Sequence, residues 1–202
     1  MNRVLFALMS LAIAPGGVGC APSLLDEFPF DGATPHGARI THEDLGGGVT
    51  RTIVDASAKE AWVYFDLDTG EELSVDEAFE TNAWDLQFQR FKVYSNSGVH
   101  GSGGVGVAVI PDRSLEEVTS APDESAFLED ADDPSSENDS PFLAGDGWYA
   151  YDLLKHKLTA RNTVYVVRTT EGALHTLQFK GYYDAAGTAG VITLDHARLD
   201  AL

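Results

Sequence analysis

From residue 49 onward, β-branched and aromatic residues alternate with polar ones in short runs, each closed by a turn rich in Gly, Asp or Asn. A period of two puts successive side chains on opposite faces of an extended chain. Turns recurring roughly every eight to twelve residues then point to antiparallel β structure. The expected early strands are residues 50–56, 61–67, 84–94 and a glycine-rich run at 103–110. Residues 163–170, 174–183 and 191–197 are joined through Glu171-Gly172 and Asp184-Ala185-Ala186-Gly187, which predicts a three-stranded meander. Within 84–94, Trp84, Leu86 and Phe88 share one face while Phe91 and Val93 have the opposite parity. An extra residue is needed to change parity, so a bulge is expected near Gln89-Arg90. Helical periodicity is limited to residues 76–80 and 115–118. The expected class is therefore a mostly β, antiparallel fold with short or no helices.

The first residues follow different rules. Met1-Asn2-Arg3 is a short basic start, and residues 4–14 form an apolar run that is too short for the roughly 20 residues a membrane-spanning helix needs. It fits the apolar region of a secretory signal occupying residues 1–19. Pro15 ends the run, and Gly17-Val18-Gly19 leads into Cys20, the only cysteine of the chain. Small residues at 17 and 19 serve either ordinary signal cleavage or attachment of a lipid to Cys20. Both readings cut the same bond, and a lipid would explain the thiol better than a free cysteine on a secreted N-terminus. Residues 20–48, rich in Pro, Gly and acids and ending in Gly46-Gly47-Gly48, read as a tether, leaving 49–202 as the folded domain. His36 and His42 fall in that tether and are expected to be exposed to solvent.

Charge narrows the function. With 32 Asp+Glu against 13 Lys+Arg, the chain carries a formal charge of −19, which disfavours nucleic acid and anionic lipid headgroups. Membrane contact is expected only through a lipid on Cys20. Twelve of the acids lie in residues 112–146 with one basic residue, Arg113, and this segment reads as a solvated acidic insertion. It lacks the Gly and distal Glu of an EF-hand loop.

Catalytic patterns are missing. Gly101-Ser102-Gly103 is not a nucleophile elbow. Gly101-x-Gly103-x-x-Gly106 leads into a strand, whereas a dinucleotide fingerprint must open a helix, so close backbone approach is the expected role. The six histidines have no short metal-ligand spacing. His175 and His196 share parity with apolar strand residues and are expected to face the core. His100, beside a glycine-rich turn, and His156 are expected to be both accessible and held in place. No catalytic residue set and no metal set is assigned.

Seven blocks, in order along the chain, carry a resemblance. They begin with Thr50-Arg51-Thr52-Ile53-Val54, then Ala61-Trp62-Val63-Tyr64-Phe65, then Asn82-Ala83-Trp84-Asp85-Leu86-Gln87-Phe88. Later come Gly147-Trp148-Tyr149-Ala150-Tyr151, Val164-Tyr165-Val166-Val167-Arg168, Leu177-Gln178-Phe179 with Tyr182-Tyr183, and Gly190-Val191-Ile192-Thr193. In sequence and order they resemble the HmuY family over about residues 49–199. The resemblance implies an almost all-β fold and a lipoprotein secreted across the inner membrane of a Gram-negative bacterium. It would be anchored to the outer membrane, on its periplasmic side or at the cell surface.

It also implies haem b capture in iron acquisition, with the iron held between two side chains and no chemistry performed on it. The partner would be haem or a haem-carrying protein. Both methionines, Met1 and Met9, lie in the signal, so methionine ligation is not expected. Residues 111–146 hold no histidine. His156, shortly after Gly147-Trp148, is the candidate ligand, and His100 is the candidate partner from its place beside a turn. The alternative is a surface interaction lipoprotein on the same fold without haem ligands, binding a protein partner or a divalent cation drawn to the acidic segment.

Overall fold

In a computed structural model of the chain, the described residues are 39–132 and 139–199. The Cys20 lipid site, the signal, His36 and most of the tether lie outside them. Twelve strands and one short helix follow in the order β1 (Ile40–Gly46), β2 (Val49–Asp55), β3 (Val63–Asp66), β4 (Glu71–Leu73), α1 (Val75–Thr81), β5 (Leu86–Gln89) and β6 (Lys92–Ser95). They continue with β7 (Gly106–Pro111), β8 (Tyr149–Asp152), β9 (Lys157–Ala160), β10 (Thr163–Arg168), β11 (Leu174–Tyr183) and β12 (Ala189–Arg198). The fold is mostly antiparallel β, as expected.

A six-stranded sheet runs β1-β2-β12-β11-β10-β7, and a four-stranded sheet runs β4-β3-β5-β6. Alternation decides what lies between them. Val54 on β2, Ile192 and Leu194 on β12, Leu177 and Phe179 on β11, and Tyr165 and Val167 on β10 join one buried cluster. From the smaller sheet, Val63, Phe65, Leu86, Phe88 and Val93 enter the same cluster. The meander β10-β11-β12 forms with the expected register, for example Tyr165 opposite Leu177 and Phe179 opposite Leu194.

Helix α1 starts at a capping box: Ser74 Oγ accepts from the Glu77 N–H, and the Glu77 carboxylate accepts from the Ser74 N–H. Its Ala78 packs with Tyr64 of β3 and with Trp84, just before β5, in a cluster separate from the main core.

Three expectations change. Residues 84–94 are a hairpin and not one bulged strand: Gln89 pairs with Lys92, and Arg90-Phe91 form the turn. Arg90 has φ 56°, a left-handed conformation that costs a non-glycine residue energy. Its anchors come from elsewhere, because Arg90 Nη1 donates to the Ser57 and Ala189 carbonyls and its N–H donates to the Ala56 carbonyl. Second, the tether does not extend to residue 48. β1 pairs antiparallel with β2 from Ile40 onward and forms an edge of the large sheet.

Third, the acidic segment is not simply solvated. Leu115, Asp130, Ser140, Phe142 and Leu143 are buried, and Leu128 bridges Val107. Asp130 accepts from the Ser95 N–H and Oγ, and its own N–H donates to Ser97 Oγ. Gly98 is required there, since a Cβ would lie 1.6 Å from the Asp130 carbonyl oxygen. Gly101 and Gly103 similarly press on the buried Asn96, whose amide donates to the Trp84 carbonyl at 2.8 Å.

Candidate functional site

The β8–β9 pair forms a sheet of its own, joined by residues 153–156. At its base Trp148 is fully buried, stacks on Phe179 at 4.6 Å between ring centroids and donates its indole N–H to the Phe91 carbonyl. Along its length Tyr183 Oη accepts from the Leu158 N–H. In the turn, Asp152 Oδ1 accepts from the Leu154 and Lys155 N–H groups, and His156 closes it at φ 52°.

This architecture pushes apolar groups into solvent. Leu153 is 75% exposed, Leu154 94% and Tyr151 48%. His156 Nδ1 lies 2.8 Å from Tyr151 Oη. In the tautomer whose Nδ1–H donates to the phenol oxygen, Nε2 carries the free lone pair of this exposed ring. Lys155 and Lys157 flank this histidine, and Asp152 is the only acid in residues 149–160. The hairpin is thus locally cationic on a chain that is otherwise strongly acidic.

His100 lies elsewhere. Its ring stacks on Tyr94 at 3.7 Å, and Nδ1 sits 3.0 Å from the buried Asp130 carboxylate. Burial pushes the Asp130 carboxyl above the usual carboxylate range, while His100 and the Ser95 hydrogen bonds oppose that shift. His100 borders a cavity of about 470 Å³ with Phe79, Trp84 and Val99. Among the described residues, no hydrogen bond or ring contact joins His100, which pairs with Tyr94 and Asp130, to His156, which pairs with Tyr151.

A row of polar groups also lies on the inward face at the other end of the large sheet. His42 on β1, Thr52 on β2, His196 on β12 and His175 on β11 occupy consecutive strands in space. His42 is exposed but belongs to a strand and not to a tether, with Nε2 2.7 Å from the Gly70 carbonyl and Nδ1 2.9 Å from Thr52 Oγ1. A carbonyl can only accept, so neutral His42 carries its proton on Nε2. Thr52 then donates to His42 Nδ1 and accepts from His196 Nε2–H at 2.9 Å. His175 Nε2 bonds Asp68 Oδ1 at 3.0 Å, leaving His175 Nδ1 and Asp68 Oδ2 buried without partners. His42, His175, His196 and Asp68 line a cavity of about 340 Å³. Sequence reading missed this group because its members come from strands far apart in the chain.

Burial, with His175 and His42 adding to it, pushes His196 down to about 4. A histidine held below its unfolded value of about 6.5 contributes stability above pH 6.5 that is lost as pH falls through about 4. Buried Asp85, pushed up to about 6 by desolvation, works with the opposite sign. The His196 contribution is therefore isolated by difference. The stability gap between wild type and His196→Gln should grow by up to about 3 kcal/mol from pH 4 to 6.5 in urea melts. A gap that does not change with pH would contradict a neutral, buried His196.

Compared with known proteins, residues 58–196 match the HmuY protein family. No curated protein matches the chain by sequence. Among solved structures, a candidate HmuY-like haem-binding protein from Bacteroides vulgatus is 19% identical with a TM-score of 0.58, covering 81% of this chain and 98% of its own. A candidate lipoprotein from Bacteroides fragilis is 20% identical with a TM-score of 0.58, covering 83% and 100%. The apo HmuY analog from Tannerella forsythia is 14% identical with a TM-score of 0.59, covering 80% and 97%. At these identities the likeness establishes the shared fold.

Proposed function

We propose that this chain, which belongs to the HmuY family, is a non-catalytic haem-binding lipoprotein of the cell envelope that captures haem on its β8–β9 hairpin. The observation that carries the reading is the tip of that hairpin. Haem needs an imidazole with a free ring nitrogen, apolar contact for the macrocycle and cations for two propionates. His156 Nε2, the exposed Leu153 and Leu154, and Lys155 with Lys157 meet those three needs within five consecutive residues. The net negative charge of the chain opposes the propionates less than composition implies, because screening beyond roughly 8 Å leaves the adjacent lysines dominant.

When bound, haem supplies the iron. The residues of this chain hold and orient it. Tyr151 fixes the His156 ring by accepting the Nδ1 proton, as partners beyond the ligand do for metal-bound imidazoles. Trp148 and Tyr183 tie the hairpin to the core and so set where the imidazole stands. His100, with its Asp130 partner and separate cavity, is not part of this surface. His156 would be the one iron ligand this hairpin supplies, and any further ligand would come from solvent or from a donor protein delivering the haem. Anchoring by a lipid on Cys20, secretion through residues 1–19 and a role in iron acquisition complete the proposal.

The test is a spectroscopic titration of the protein with ferric haem. Saturation near one equivalent with a high-spin ferric spectrum supports one imidazole ligand. No saturable Soret change at micromolar haem would leave the interaction reading, an apolar hairpin for a protein partner.

A further inference from the structure

The last residue of β3 and the turn to β4 read Asp66-Leu67-Asp68-Thr69-Gly70, and the strand partner β5 is preceded by Asp85. One carboxylate oxygen from each of Asp66, Asp68 and Asp85 lies within 4.8 Å of the others. Two of these groups are removed from solvent: Asp85 is fully buried, and the Asp68 side chain is 8% exposed. Among the described residues no lysine or arginine pairs with any of the three, and their only ionisable partner is His175 on Asp68. Backbone N–H groups satisfy Asp85, from Leu67 and Thr170, and Asp66 Oδ1, from Asp68 and Thr69. Asp68 Oδ2 is different: it is buried and has no partner.

A buried carboxylate oxygen without a donor is costly, and two more carboxylates in the same cluster raise the cost. We propose that Asp66, Asp68 and Asp85 form a binding site for a hard divalent cation of the calcium class. The chemistry of the donors selects the ion. All three offer hard oxygen, and calcium accepts irregular oxygen geometries with water completing its shell, whereas magnesium demands a regular octahedron. The cavity lined by Asp68, Thr69 and Gly70 gives solvent its approach. His175 is a positioning residue: its hydrogen bond to Oδ1 turns the Asp68 carboxylate and leaves Oδ2 for the ion. The site is separate from the acidic segment, whose described residues supply no comparable cluster, and it does not depend on haem.

The experiment is a thermal melt of the chelator-stripped full chain with added calcium chloride. Wild type should gain melting temperature saturably, because an ion that binds only the folded state stabilises it by mass action. Asp68→Asn and Asp66→Asn, each checked for wild-type circular dichroism, should weaken the apparent affinity at least ~10-fold. Asp66→Asn keeps the side-chain oxygen that accepts from the turn, so it serves if Asp68→Asn does not fold. No gain up to about 10 mM calcium, beyond the weakest extracellular calcium sites, overturns the proposal. So does an equal gain in wild type and both variants, which would report diffuse binding to the acidic segment. A gain with zinc but not calcium overturns the hard-cation assignment.

Discussion

Trp148→Ala is expected to lower the unfolding free energy by about 3–5 kcal/mol, the range for deleting a fully buried large aromatic. Three physical losses add up at this position. The ring stacks on Phe179 and meets Tyr149 edge-on at 5.1 Å, and the cavity left behind is walled by strands that cannot collapse freely. The indole N–H also bonds the Phe91 carbonyl at 3.0 Å, in the turn of the β5–β6 hairpin, and alanine leaves that acceptor unmatched. For a domain of this size the melting temperature should fall by roughly 10 °C. Trp148→Phe should retain most of the stack and lose about 1–2 kcal/mol, chiefly the hydrogen bond. A Trp148→Ala variant within 1 kcal/mol of wild type (about the uncertainty of such measurements) would show that the hairpin base is not anchored in the core as described.

The second large effect separates binding from folding. Leu153 and Leu154 lie in solvent in the free protein, so the double change Leu153→Ser, Leu154→Ser should leave stability within about 0.5 kcal/mol per site. If a porphyrin covers them, each leucine contributes roughly 1.5–3 kcal/mol of apolar burial on binding. The double variant should then bind haem about 10² to 10⁴ times more weakly, measured by titration against wild type. Unchanged affinity would place haem somewhere other than the hairpin tip. This variant does not touch the iron ligand, so it tests the macrocycle contact alone.

What alternation could reveal, it revealed. The β10–β11–β12 meander was legible because each strand buries one face and the turns between them carry glycine. The β5–β6 hairpin was not, because its turn uses Arg90 and Phe91. A left-handed arginine becomes tolerable only through carbonyls of Ser57 and Ala189, which lie 33 and 99 residues away. β1 was missed for a related reason. Ile40 is its only buried residue, so an edge strand of polar residues looks like tether until its pairing with β2 is seen.

The same logic divides the candidate sites. His156 was legible from its place after Gly147-Trp148, and the Lys155-His156-Lys157 run was printed in the chain, although its meaning needed the exposed turn. His42, Thr52, His175 and His196 meet only because strands from both ends of the domain become neighbours in the sheet. Asp66 and Asp68 are close in sequence, yet the buried Asp85 and the orphaned Oδ2 that make them notable appear only in three dimensions.

The central claim, that His156 on the β8–β9 hairpin holds the iron, is tested most directly by parallel Soret titrations of wild type and His156→Ala with ferric haem. The side chain is exposed, so the variant should fold with unchanged circular dichroism. The expected result is a saturable, ligand-bound Soret band in wild type that is lost in His156→Ala and restored in part by added imidazole. An identical Soret band and affinity in the variant would contradict the account.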